Sequence, residues 1–235
     1  MQKLQYHLQK LLDLLFPQQC VACKCSGYVL CPTCQANIQP LTPPFCAHCS
    51  SRLTLDGICR KCRYHPLNMN GLRAVGTYEE PLRTCIHALK YDGKTQLAEP
   101  LGNLLAKAYV AYGLQIDVII PVPLHSERLQ QRGYNQAVLL ARQCALQIAI
   151  PIREDILIRQ RATPAQVGLA AQERQQNVTG AFVCNPAFAR GALHKRRVLI
   201  IDDVCTTGAT LEACTAPLFA AGALEVWGLV LALPV

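Results

Sequence analysis

Residues 198–210 read Val198-Leu199-Ile200-Ile201-Asp202-Asp203-Val204-Cys205-Thr206-Thr207-Gly208-Ala209-Thr210. Val198 to Ile201, preceded by Arg197, is the branched apolar run of a short buried strand. Leu211 to Ala221 then reads as a helix. Two carboxylates, Asp202 and Asp203, therefore emerge where the strand ends, and a hydroxyl-rich turn leads into a helix N-terminus. Backbone N–H groups at such an end point outward and favour a phosphate. Thr206, Thr207 and Thr210 add hydroxyl donors, and Gly208 lets the loop close tightly. The adjacent acids suit vicinal sugar hydroxyls or Mg²⁺. Helix capping accounts for one Asp and one Thr, but not for paired acids, three threonines and a glycine together. Cys205 lies in the same loop, where a helix N-terminus acidifies a reactive thiol; a passive loop residue is the simpler reading.

Working outward, Asp117 to Val122 is a second short strand, ended by Pro121 and Pro123, and Val226 to Ala232 is a third. Between them Leu97–Tyr112 and Tyr134–Ile148 read as helices. Strand–helix alternation predicts an α/β domain with a mainly parallel sheet flanked by helices. Ligands of such sheets sit beyond the carboxyl ends of the strands. After Pro123 come Arg128 and Arg132, whose guanidinium forks suit phosphate oxygens. Gly133 directly after Arg132 predicts a turn there rather than a continuing helix face. Lys90 closes a helical stretch, where it is placed to cap carbonyls.

The N-terminal third differs. Nine of the fourteen cysteines lie between positions 20 and 62. Eight form CxxC pairs: Cys20/Cys23, Cys31/Cys34, Cys46/Cys49 and Cys59/Cys62. Each pair puts two thiolates on one tight turn, and two pairs complete a tetrahedral Cys₄ shell. Two structural zinc sites are predicted, with sequential pairing preferred and interleaved pairing left open. Cys25 is spare and competes with Cys23. A redox CxxC does not repeat four times, and tandem hairpin knuckles resemble zinc ribbons more than iron–sulfur sites. Residues 35–66 hold few large apolar side chains, so metal is expected to fold them. The domain expectation is 1–66, an N-terminal helix and double zinc ribbon, followed by 67–235, the α/β domain.

The 235 residues are 51% hydrophobic and 16% charged, which excludes disorder. The formal charge of +8 falls to about +4 if eight thiolates hold two Zn²⁺, which does not by itself demand nucleic acid. No segment reaches a membrane-spanning apolar run. Met1 to Phe16 has helical apolar spacing but no signal-peptide block, so a cytoplasmic chain with reduced cysteines is expected.

The segment 198–210 resembles the phosphoribosyl pyrophosphate (PRPP) motif of type I phosphoribosyltransferases. With the CxxC ribbon, Leu89-Lys90-Tyr91-Asp92-Gly93-Lys94, Pro121-Val122-Pro123-Leu124 with Arg132-Gly133-Tyr134-Asn135-Gln136, and Arg161-Ala162-Thr163 through Gln166, Leu169, Arg174 and Asn177 to Ala181-Phe182, the chain is similar over nearly its whole length to the ComF/GntX family of competence-associated, phosphoribosyltransferase-like proteins. The resemblance implies a type I phosphoribosyltransferase-like fold. It implies that Asp202 and Asp203 hold the ribose hydroxyls, while Cys205, Thr206, Thr207, Gly208, Ala209 and Thr210 cradle the 5-phosphate. Lys90, Val122, Pro123, Arg128, Arg132, Arg161 and Thr163 are the candidates for pyrophosphate and a closing loop, and Mg²⁺ is expected to enter with PRPP.

Two functions remain open. One is pentosyl transfer from PRPP to a nitrogen acceptor in DNA uptake or the use of DNA as nutrient. The other is binding of single-stranded DNA, beside DNA-processing proteins, over a vestigial PRPP site. The ribbon is expected to lie near the ligand cleft in place of the hood of related enzymes, leaving PRPP affinity independent of it.

Overall fold

The computed structural model describes residues 18–161, 180–188 and 191–234. The predicted N-terminal helix, and Thr163, Gln166, Leu169, Arg174 and Asn177 of the predicted closing loop, lie outside them. Strands β1 (Gly71–Thr77), β2 (Val118–Pro121), β5 (Arg197–Val204) and β6 (Glu225–Leu233) form one parallel sheet in the order β1-β6-β5-β2. A two-stranded antiparallel hairpin, β3 (Leu157–Arg159) with β4 (Phe182–Cys184), stands apart.

Alternation along the strands sorts the core. Ile119, Leu199, Ile201, Leu229 and Leu231 face one layer, which holds helices α3 (Leu82–Tyr91), α4 (Ala98–Ala111) and α6 (Gln136–Ile148). Val118, Ile120, Val198, Ile200 and Val230 face the other, which holds α7 (Ala209–Ala220) and the hairpin. The expectation of a parallel α/β sheet with helices on both faces therefore holds. Among the described residues no helix is long and apolar enough to cross a membrane.

The strand β1 carries no sequence signal, because glycine dilutes it. Both glycines are there for close approach. A Cβ at Gly71 would lie 2.5 Å from Trp227 Cζ3, and one at Gly76 would lie 2.2 Å from the carbonyl oxygen of Gln39. The second contact is where the cysteine-rich region meets the sheet. Pro40 bridges to Gly76, Thr77 N donates to Gln39 O at 3.0 Å, and Leu72 N donates to His48 O at 2.7 Å. The opposite edge is closed in the same way: Ile119 N donates to Pro151 O and Arg153 N to Ile119 O, each at 2.9 Å.

The ribbon contains two short helices, α1 (Pro32–Ala36) and α2 (Arg60–Tyr64). Each begins at a cysteine whose Sγ accepts the N–H three residues on, Cys34 N to Cys31 and Cys62 N to Cys59. Cys20, Val21, Leu30 and Ile38 belong to the same apolar cluster as Leu82, Ile86, Leu101 and Leu105.

Candidate ligand cleft and cysteine clusters

At the carboxyl end of β5, Asp203 Oδ1 pairs with Lys90 Nζ at 2.7 Å, with the side chains 3% and 21% exposed. Asp203 Oδ2 is buried without a hydrogen-bond partner among the described residues. A buried carboxylate oxygen in that state is an acceptor awaiting a donor. Asp202 Oδ1 takes the Asp203 N–H at 2.9 Å. Burial, then the Asp203 charge, pushes the Asp202 carboxyl up to about 7, against the pull of Lys90. Burial disfavours the Lys90 ammonium, but Asp203 outweighs it and the Lys90 pKa is raised.

Asp202 gives a pH prediction. Its folded pKa of about 7 lies above its ordinary 3.8, so between those values the folded chain holds a proton that the unfolded chain releases. Its contribution to stability is full at low pH and is lost as pH rises towards about 7. Asp202→Asn is expected to gain melting temperature on the wild type progressively from pH 5 to pH 8. Parallel melting curves for the two proteins would contradict this.

The loop after β5 turns immediately. Thr207 Oγ1 accepts from Ala209 N at 3.3 Å, and Gly208 opens α7 at φ +90°, a conformation side chains resist. Cys205, Thr206, Thr207, Gly208, Ala209 and Thr210 line a small hollow with Asp202. Burial pushes the Cys205 thiol up to about 11, so the passive reading stands and an acidified nucleophile does not.

The main cleft has a volume of about 450 Å³. Lys90, Val122, Pro123, Arg128, Arg132, Asp202, Asp203, Thr206 and Thr210 all line it. The β2 end reaches it because Val122 N bonds Ile201 O at 3.0 Å, and Asn135 Nδ2 bonds Val122 O at 2.9 Å. Arg128 and Arg132 sit on a short helix, α5 (Ser126–Arg132), ended by Gly133 at φ +81°. The predicted turn is that helix's C-terminus. Arg132 bonds Gln136 Oε1 and lies 5.4 Å over the Tyr91 ring. Arg161 is exposed just past β3 and does not line the cleft.

Arg159 is not among the residues the sequence singles out. It ends β3, lines the cleft, and lies 5.2 Å over Phe182, opposite it in the hairpin. Burial pulls its pKa down, Arg128 adds to that, and Asp202 opposes it. The usable signal is the pair of β-runs flanking the polar segment, Leu157-Ile158-Arg159 and Phe182-Val183. Lys90, Arg128, Arg132 and Arg159 thus face two acids, which leaves a cleft suited to a polyanion.

The cysteines converge as two clusters, Cys20, Cys23, Cys25 and Cys31, and Cys46, Cys49, Cys59 and Cys62, with the Sγ atoms of each within 4.8 Å of one another. Sequential grouping, not interleaving, is therefore what the fold brings together. The Sγ separations are 3.6 Å for Cys23–Cys31, 3.7 Å for Cys46–Cys62 and 3.5 Å for Cys49–Cys59. A tetrahedral zinc with bonds of about 2.3 Å needs edges of about 3.8 Å, so the donor sets fit that ion. The first set departs from the expected one: Cys25 stands in it where Cys34 was expected, while the Cys34 N–H donates to Cys31 Sγ at 3.3 Å.

No residue of the described ribbon lines the main cleft. The hood expectation thus finds no contact in that cleft, although Lys61 of the ribbon approaches Gly208 of the neighbouring loop. The ribbon leans on β1, and just past it Asn68 N donates to both carboxylate oxygens of Glu212 near the start of α7, at 2.8 and 3.1 Å.

A double zinc ribbon family model matches residues 11–63. Competence protein F of Haemophilus influenzae is 34% identical over 226 residues, covering 91% of this chain and 97% of that protein. The chain belongs to the ComF/GntX family. Another ComF/GntX relative, DNA utilization protein YhgH of Salmonella typhimurium, is 30% identical over the same shares. Among solved structures, the glutamine PRPP amidotransferase of B. subtilis matches at 24% identity and a TM-score of 0.38, covering 57% of this chain. The ComF/GntX chain spans only 25% of that structure.

Proposed function

We propose that this chain binds PRPP in the main cleft and acts in the handling of imported DNA. The observation that carries the reading is the acid pair at the end of β5, with the partnerless Asp203 Oδ2 and Lys90 beside it, leading into the 205–210 loop. Asp202 and Asp203 accept from the two ribose hydroxyls. The loop's N–H and hydroxyl groups take the 5-phosphate. Lys90, Arg128, Arg132 and Arg159 face the pyrophosphate, with the backbone of Val122 and Pro123 beside it. Mg²⁺ bound with PRPP supplies charge neutralisation on the leaving group. Transfer would form a bond from an acceptor nitrogen to C1 as the C1–oxygen bond to pyrophosphate breaks, and the nitrogen's proton leaves to solvent. The chain's own contribution is to orient the ribose and neutralise charge.

The DNA role rests on the relatives, which carry the names competence protein F and DNA utilization protein. Binding of single-stranded DNA is the second reading. Tyr91, exposed beside Lys90, Arg128 and Arg132, offers a stacking face among cations. Calorimetry of PRPP with Mg²⁺, pyrophosphate release across nucleobase acceptors, and DNA binding at several salt concentrations separate the two. PRPP binding with release supports transfer. Salt-sensitive DNA binding without PRPP affinity replaces the first reading by the second.

A further inference from the structure

The 202–210 segment contains no lysine or arginine. A phosphomonoester seated there would have two carboxylates close by and no cation from the loop itself. A cation approaches the loop from the ribbon. A Cβ at Gly208 would lie 3.7 Å from Lys61 Nζ and 3.2 Å from Leu67 Cδ2, so both side chains rest on the loop's glycine. Among the described residues Lys61 Nζ has no carboxylate within ion-pair distance. Its field reaches the loop: burial raises the Cys205 thiol, and the Lys61 charge opposes that rise.

The position is built. Lys61 lies on α2 between Cys59 and Cys62 of the second cluster. The segment after α2 is tied down by His48 Nε2 and Leu67 O, 3.1 Å apart, and by Asn68 on Glu212 of α7. We infer that Lys61 is a phosphate-binding residue, the cation by which the zinc ribbon completes the anion site of the 205–210 loop. This rests on the proposal that the loop takes the 5-phosphate.

The test uses the full-length, zinc-loaded protein with two probes, ribose 5-phosphate for the loop and inorganic pyrophosphate for the far side of the cleft. Lys61→Met is expected to weaken ribose 5-phosphate by roughly tenfold or more, the size of a lost charge-assisted hydrogen bond. Pyrophosphate affinity stays unchanged, and Lys61→Arg restores most of the loss. Wild-type affinity for ribose 5-phosphate in Lys61→Met, or an equal loss of both probes, overturns the inference. If the wild type binds pyrophosphate but no ribose 5-phosphate, the reading of the loop itself falls, and this inference with it.

Discussion

Asp202→Asn together with Asp203→Asn is expected to abolish PRPP binding, a loss of about a hundredfold or more. Both ribose acceptors lose the charge that makes their hydrogen bonds strong. The change also strips Lys90 of its partner at 2.7 Å, so a cation that Asp203 anchors is released towards the cleft. The sheet below is untouched, because Val198, Leu199, Ile200 and Ile201 supply the burial of β5. Calorimetry with Mg²⁺ and PRPP, beside a thermal melt, checks the result. Unchanged affinity in a folded double variant would sink the assignment of the acid pair.

Loss of metal should act differently at the two cysteine clusters. Elemental analysis is expected to return two zinc equivalents, each worth about 10–16 kcal/mol in small zinc-folded peptides. Cys20 is fully buried in the apolar cluster that includes Leu82, Ile86 and Leu101, so Cys20→Ser disturbs the core of the sheet's own layer. Its melting temperature is expected to fall by on the order of 10 °C. Cys59 is only half-buried, on the helix that carries Lys61. Cys59→Ser is expected to spare most of the melting temperature and to weaken ribose 5-phosphate as Lys61→Met does. From sequence alone, phosphate affinity is expected to be independent of the ribbon. The inference drawn from the approach of Lys61 to Gly208 predicts the opposite. Equal destabilisation by the two substitutions would show that the clusters do not divide the work in this way.

What the sequence disclosed was whatever is written locally. The run Val198–Ile201, the acids behind it and the loop are contiguous, so their pattern alone places them at a strand end. CxxC pairs likewise declare their chemistry within four residues. What stayed hidden depends on distance along the chain. Gly71 and Gly76 look like loop residues until Trp227 and Gln39 are seen pressed against them. Arg159 reads as surface charge until the hairpin turns it into the cleft. Lys61 reaches a loop nearly 150 residues further on, and no local spacing can announce that. The seat of the ribbon is hidden for the same reason, because backbone pairing of Gln39, Pro40 and His48 with β1 sets it.

That backbone pairing also bears on solubility. A parallel sheet has two raw edges, and an unpaired strand edge recruits other strands. Here, among the described residues, one edge is shielded by Pro151 and Arg153, and the other by Gln39, Pro40 and His48, which belong to the cysteine-rich region. Zinc held by the cysteine clusters would thereby guard β1 against intermolecular pairing. Zinc starvation is then expected to be felt as clouding and self-association before any ligand is missed.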